Sequence, residues 1–199
     1  MYITDKVYCF EAAKFAHAFL LAAENILIDC GLPWEGKKII REMHEIGYDP
    51  TCLEHILLTH ADLDHCGGLR KIAKSCPNAT LWLGKDDVHY LRRAGFRRGL
   101  KGVALDILGP RLPKNFRVLE DWANSEVKAI HTPGHSDGHF AFKYDGCFFI
   151  GDVYKNNDGR LSSAKKNENE DVLAQTREYI KAIDCDIVIP SHGEIIKPL

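Results

Sequence analysis

The sequence predicts an α+β protein built as one domain over residues 1–199, and three observations carry that expectation. A chain of 199 residues suits one domain and is long enough to bury roughly two-thirds to three-quarters of its unfolded surface. Apolar residues make up 45% and charged residues 27%, near the averages of globular proteins, which excludes a disordered or fibrous chain. Short strand-like runs fall in both halves, grouped with helices rather than alternating strictly with them, which favours layered α+β packing over a doubly wound parallel sheet.

Taken in order, Val7 to Ile28 alternates short apolar runs with polar breaks and ends in Asn25-Ile26-Leu27-Ile28-Asp29-Cys30-Gly31. It reads as two strands in a hairpin closed by a glycine turn. Lys37 to Gly47 places Ile39, Ile40, Met43 and Ile46 at helical spacing, with Gly47 as the stop and Asp49-Pro50 as the turn beyond it. Leu53 to Leu58 is a strand-like run that ends abruptly at Thr59-His60, and a polar turn then leads through Gly67-Gly68 into an amphipathic stretch reaching Lys74.

Pro77-Asn78 turns into a strand over Ala79 to Leu83, and Asp86 to Ala94 looks helical, with Asp86 and Asp87 suited to its positive N-terminal end. From Gly95 to Trp122 the periodicity weakens. Arg92, Arg93, Arg97, Arg98 and Lys101 are followed there by Gly99, Gly102, Gly109, Pro110 and Pro113, the composition of a surface excursion, so residues 95–122 are a candidate lid. The Arg92–Arg98 cluster reads either as a recognition patch for an anion or as a solvated helix face. Strands resume at Val127 to His131, Phe140 to Tyr144 and Cys147 to Ile150, the last two joined by the hairpin signal Asp145-Gly146. Asp171 to Ile183 is a helix and Asp186 to Pro190 a final strand.

Lys and Arg total 26 against 28 Asp and Glu, a net charge of −2, so neither nucleic acid nor an anionic membrane is an expected partner. The apolar run Ala18 to Ala23 is too short for a membrane span and lacks the flanks of an export signal. The expected location is the cytoplasm and the expected partner a small-molecule substrate, with homo-oligomerisation left open. Seven cysteines, Cys9, Cys30, Cys52, Cys66, Cys76, Cys147 and Cys185, are odd in number and include no C-x-x-C pair. They read as reduced residues, mostly buried as small hydrophobes.

The chemistry concentrates in His60-Ala61-Asp62-Leu63-Asp64-His65, four metal-ligating side chains in six residues at the end of an apolar strand. A helix would turn residues 60, 62 and 64 by about 200° at each step, whereas an extended or turning segment lets alternate side chains converge. Four such groups packed together call for a cation; the plain alternative is a solvated polar turn. Thr132-Pro133-Gly134-His135-Ser136, Gly151-Asp152 and Ser191-His192-Gly193 place three more ligating side chains just past strands, where loops present function.

Together with Leu27-Ile28-Asp29-Cys30-Gly31 and the continuation Cys66-Gly67-Gly68, these segments resemble the five ordered motifs of the metallo-β-lactamase superfamily, across nearly the whole chain. The resemblance implies a four-layer αββα sandwich with metal at one edge between two central sheets. It implies that His60, Asp62 and His135 hold a first ion, that Asp64, His65 and His192 hold a second, and that Asp152 bridges them. Asp29 matches a carboxylate that supports the metal loop in the family; a hairpin-turn aspartate is the other reading.

One departure stands out, because the family's usual H-x-H-x-D-H carries His where this chain has Asp62. A carboxylate there adds charge and a harder donor, lowers Lewis acidity and moves preference from zinc toward iron or manganese. Family members with an acidic residue at this position include diiron flavoproteins. If Asp62 instead points away, a single-metal site remains.

Two divalent ions, zinc by family habit and iron or manganese by the Asp62 argument, would lower the pKa of a bridging water and polarise a substrate carbonyl or phosphoryl oxygen. The resemblance gives Asp64 a further role, orienting the resulting hydroxide and passing a proton to the leaving group. The expected activity is hydrolysis of a small ester, thioester or lactone. The chain ends seven residues after His192, so the C-terminal helical domain of glyoxalase II is not expected. The competing readings are a mononuclear iron oxidoreductase resembling sulfur dioxygenases and a non-catalytic binding protein on the same fold.

Other residues carry weaker expectations. His139 is either a partner supporting a ligand or a buried structural residue. His17 and His131 read as structural, and His44, His55 and His89 as surface or helix-face residues. Tyr154 and Lys155 follow Asp152 closely enough either to face substrate or simply to pack.

Overall fold

The computed structural model describes residues 1–92, 107–157, 160–162 and 167–195. Two mixed sheets lie face to face. The first has six strands in the order β1 (Val7–Cys9), β2 (Phe19–Leu21), β3 (Ile26–Ile28), β4 (His55–Leu57), β5 (Thr80–Leu83) and β6 (Phe116–Val118). β1 to β3 pair antiparallel and β3 to β6 parallel. Parallel neighbours need crossovers. These carry α1 (Gly36–Glu45) between β3 and β4, then α2 (Leu63–Cys66) and α3 (Leu69–Ser75) between β4 and β5, with α4 (Val88–Leu91) after β5.

The second sheet runs β7 (Lys128–His131), β8 (Phe140–Tyr144), β9 (Cys147–Gly151) and β12 (Ile187–Pro190). A small hairpin, β10 (Lys155–Asn157) with β11 (Arg160–Ser162), and helix α5 (Glu170–Lys181) lie between β9 and β12. The turn joining β8 to β9 has φ of 49° at Asp145 and 75° at Gly146, the left-handed pair that a two-residue hairpin of matching twist requires.

In the two main sheets, apart from the edge strands β6 and β7, most strand residues are buried on both faces, and their alternation builds three core layers. Between the sheets, Phe19, Ile28, Leu57 and Trp82 of the first meet Phe142, Phe149 and Ile189 of the second; the Phe19 and Phe149 rings stand 4.9 Å apart. The far face of the first sheet, with Leu20, Leu27, Ile56 and Leu81, packs on Ile39 and Met43 of α1 and on Leu69 and Ile72 of α3. The far face of the second, with Ala141, Phe148 and Val188, packs on Leu173 and Ile180 of α5. The result is the expected α+β, four-layer αββα sandwich.

Local expectations differ in three places, and one expectation falls partly outside the described residues. Val7 to Ile28 forms three strands rather than two, because residues 10–18 leave the sheet before β2 and β3 make the hairpin. Within the candidate lid, residues 95–106 lie outside the described residues, as do Arg93, Arg97 and Arg98. Phe116–Val118 is β6, paired with β5 rather than part of a surface excursion. His55 lies on β4 and packs its ring against Trp82 and Trp122 instead of sitting on an open surface.

All seven cysteines are unpaired, and five of them are buried. Among the described residues no helix is long and apolar enough to cross a membrane.

Candidate metal centre

β7 and β9 each pair antiparallel with β8, and β12 pairs parallel with β9. Three strands therefore point the same way and end at one edge of their sheet. The segments after them carry His135, Asp152 and His192, while β4 of the facing sheet leads into His60 and Asp62. A bond from the Phe140 amide to the Thr59 carbonyl, 2.8 Å, fastens the two sheets beside this edge.

Asp62 is extended (ψ 151°) and begins α2, so Asp64 and His65 project from a helical turn rather than from the loop that the spacing suggested. A helix starting at residue 63 swings 64 and 65 toward the ligands before it. Asp62 points inward, with Oδ2 3.7 Å from His60 Nε2 and 3.6 Å from His135 Nε2. Asp152 lies centrally, 3.6 Å from His135 Nε2, 3.5 Å from His65 Nε2 and 3.2 Å from His192 Nε2. Asp64 Oδ2 is 3.8 Å from His65 Nε2 and 3.4 Å from His192 Nε2.

All seven predicted residues thus come together. They fall into His60, Asp62 and His135 on one side and Asp64, His65 and His192 on the other, with Asp152 between; within each trio the ligand atoms lie within 4.8 Å of one another.

Each histidine is oriented from behind through Nδ1, a recurrent feature of metal-ligating imidazoles. His65 Nδ1 is 2.9 Å from Asp29 Oδ2, His135 Nδ1 is 2.8 Å from Asn167 Oδ1, and His192 Nδ1 is 2.7 Å from the Phe15 carbonyl. His60 Nδ1 lies 3.0 Å from Thr59 Oγ1, whose proton goes to Asp29 Oδ2 at 2.8 Å, so His60 donates and keeps its Nε2 lone pair free. Asp29 also accepts from the Thr59 amide at 2.8 Å, the loop support expected of it.

His139 supports Asp152 from beneath. Its Nε2 accepts from the Asp152 amide at 3.1 Å, and Nδ1 meets Thr132 Oγ1 at 2.8 Å. Gly151 has φ of 55°, and a Cβ there would run into the His139 ring, so Gly-Asp at this point is a steric requirement.

Electrostatics follow the geometry. Burial drives His60 well below the usual imidazole range, and His65 and His135 add to that. Burial also opposes charge on His65, but Asp29 and Asp64 outweigh it and raise the ring to about 9. Burial opposes the Asp152 carboxylate, yet His192, His65 and His60 hold it well below the ordinary value. Asp64 is lowered as well, burial being outweighed by His65 and His192.

A cation fits these donors. His60 Nε2, His65 Nε2, Asp152 Oδ1 and His192 Nε2 are buried, face this space, and have no hydrogen-bond partner among the described residues. Leaving several such atoms unmatched is costly, and divalent ions held by the two trios and Asp152 would satisfy them.

Sequence reasoning missed three supports. Asn167 lies in a polar run with no distinguishing pattern, and Phe15 contributes only its backbone carbonyl. Asp87 was read as a helix-start charge, yet it is buried and accepts from Ala61 N, Ser136 Oγ and Gly138 N at 2.9, 2.9 and 3.0 Å. Burial pushes its carboxyl up to about 6 against those bonds.

Known proteins place the chain. YobT of Bacillus subtilis, an uncharacterized protein, is 29% identical over 162 residues, 73% of this chain and 65% of its own length. An atrochrysone carboxyl ACP thioesterase of Aspergillus fumigatus is 30% identical over 149 residues, 74% of this chain and 30% of its own. A hydroxyacylglutathione hydrolase of Aeromonas salmonicida is 30% identical over 122 residues, 61% of this chain and 41% of its own. The chain therefore spans less than two-thirds of the length of these curated relatives.

Among solved structures, a metallo-beta-lactamase HARLDQ-motif mutant from Cronobacter sakazakii superposes with a TM-score of 0.75 at 22% identity, covering 97% of this chain and 79% of that one. An archaeal metallo-beta-lactamase superfamily protein from Sulfolobus tokodaii gives 0.71 at 17% identity, covering 98% and 82%. At such identities the likeness is one of fold. Residues 15–192 match the family profile itself, and the chain belongs to the metallo-beta-lactamase superfamily.

Proposed function

We propose that this chain is a dinuclear metallo-hydrolase acting in the cytoplasm on a small ester, thioester or lactone. The observation that carries the reading is the convergence of seven ligating side chains from four strand ends, four of which, His60, His65, Asp152 and His192, present a buried atom with no hydrogen-bond partner among the described residues. His60, Asp62 and His135 would hold one ion and Asp64, His65 and His192 the other, with Asp152 between them. Zinc suits the four imidazoles, and the Asp62 carboxylate admits iron or manganese. When bound, such ions supply a water acidified toward neutrality and an electrophile for the substrate carbonyl.

The protein's own residues do the rest. Asp64 is the most open of the three carboxylates, its side chain 19% exposed against 5% for Asp62 and Asp152. His65 and His192 hold it ionised, the form in which it would orient the attacking water and relay a proton to the leaving group. The relatives named a thioesterase and a hydroxyacylglutathione hydrolase support an acyl substrate.

The test is turnover of a panel of thioesters, lactones and phosphodiesters by the wild type and by Asp64→Asn. The reading expects acyl hydrolysis that falls by about 10²–10⁴-fold in the variant. Unchanged activity would refute the role of Asp64. A single iron with thiol-dependent oxygen uptake would replace hydrolysis by an oxidoreductase reading.

A further inference from the structure

Asp87 belongs to no ligand-bearing segment, yet it joins two of them. It is fully buried just ahead of α4. Its Oδ2 accepts from the Ala61 amide and from Ser136 Oγ, each at 2.9 Å, while Oδ1 accepts from the Gly138 amide at 3.0 Å. Ala61 lies between His60 and Asp62, and Ser136 follows His135. A single oxygen thus ties the two stretches of chain that supply all three members of the first trio. The turn closes tightly around it, since a Cβ on Gly138 would come within 2.8 Å of Asp87 Oδ1. Among the described residues, none of its hydrogen bonds reaches Asp64, His65 or His192.

We infer that Asp87 is a positioning residue for the first metal site, fixing the separation between the His60–Asp62 segment and His135 while leaving the Asp64, His65 and His192 site independent of it. This rests on the dinuclear reading above. A buried carboxylate accepting three hydrogen bonds sets distances that softer packing would not, and ligand geometry must hold within about 0.5 Å for full affinity. Supports of this kind are worth about 10–100-fold in metal affinity.

Zinc binding is measured by competition with a chromophoric chelator in two backgrounds: His192→Ala, which leaves the first trio intact, and His135→Ala, which leaves the second. Adding Asp87→Asn should weaken zinc by about 10–100-fold in the first background and leave the second within about twofold. Ser136→Ala, which removes one donor and keeps the carboxylate, should show the same split at about 3–10-fold and serves if Asp87→Asn does not fold. Equal losses in both backgrounds, or none in either, would overturn the inference while the dinuclear reading stands. Failure of the wild type to bind zinc would remove that reading, and the inference with it.

Discussion

Asp29 Oδ2 stands 2.9 Å from Nδ1 of His65, and the same carboxylate takes both the amide and the hydroxyl protons of Thr59. One side chain at the end of β3 therefore orients His65 directly and His60 through Thr59. Its backbone adopts φ of 57°, a left-handed conformation that aspartate tolerates better than most residues.

Asp29→Asn replaces two acceptor oxygens by one and turns an NH2 toward donors. Zinc affinity, read by chelator competition, is expected to fall by about 10–100-fold with the circular dichroism spectrum retained. Unaltered affinity would show that His65 is held by other means.

At Gly151 the left-handed φ and the adjoining His139 ring leave no room for a side chain. Gly151→Ala should cost more than about 1 kcal/mol, seen as a lower melting temperature. It should also weaken metal binding, because the Asp152 amide would lose its place on His139 Nε2.

Where the two sheets meet, Phe149 is buried against Phe19. Phe149→Ala should destabilise the protein by about 3–5 kcal/mol in denaturant unfolding. A loss under about 1 kcal/mol would mean that the layer collapses around the gap.

The raised His65 ring, at about 9, gives metal binding a pH dependence with a definite sign. In the metal-free protein the charged ring is stabilising below its unfolded pKa, about 6.5, and that contribution fades as pH rises to about 9. Metal must displace this proton, so at fixed free zinc the gain in melting temperature should grow from pH 6.5 to 9 and then level off. His192, whose pKa is also raised because Asp152 and Asp64 outweigh burial, acts in the same direction. A gain that shrinks over this range would contradict the assignment of these rings as ligands.

The α+β layering and the seven candidate ligands were legible because their signals are local: apolar runs of strand period, each followed at once by His or Asp. The four-layer sandwich and the grouping of the ligands came from the resemblance of those segments to ordered family motifs. β6 was not, since Phe116-Arg117-Val118 is a three-residue edge strand with a charge in its middle, too short for any period to register. β10 was hidden for the same reason, its Lys155-Asn156-Asn157 being wholly polar. Asp87 was illegible in a different way. Its partners at 61, 136 and 138 are distant in sequence, and nothing in Lys85-Asp86-Asp87 separates a buried carboxylate from a helix-start charge. Asp62 stood between, because its type was readable but its inward direction depended on the turn into α2.

The most direct test of the account is the divalent metal content of the chain, measured by elemental mass spectrometry after purification without added metal and after reconstitution with zinc. Two ions per chain are expected, falling to about one in His135→Ala and in His192→Ala. A wild-type chain that retains no divalent ion after reconstitution at neutral pH would contradict it.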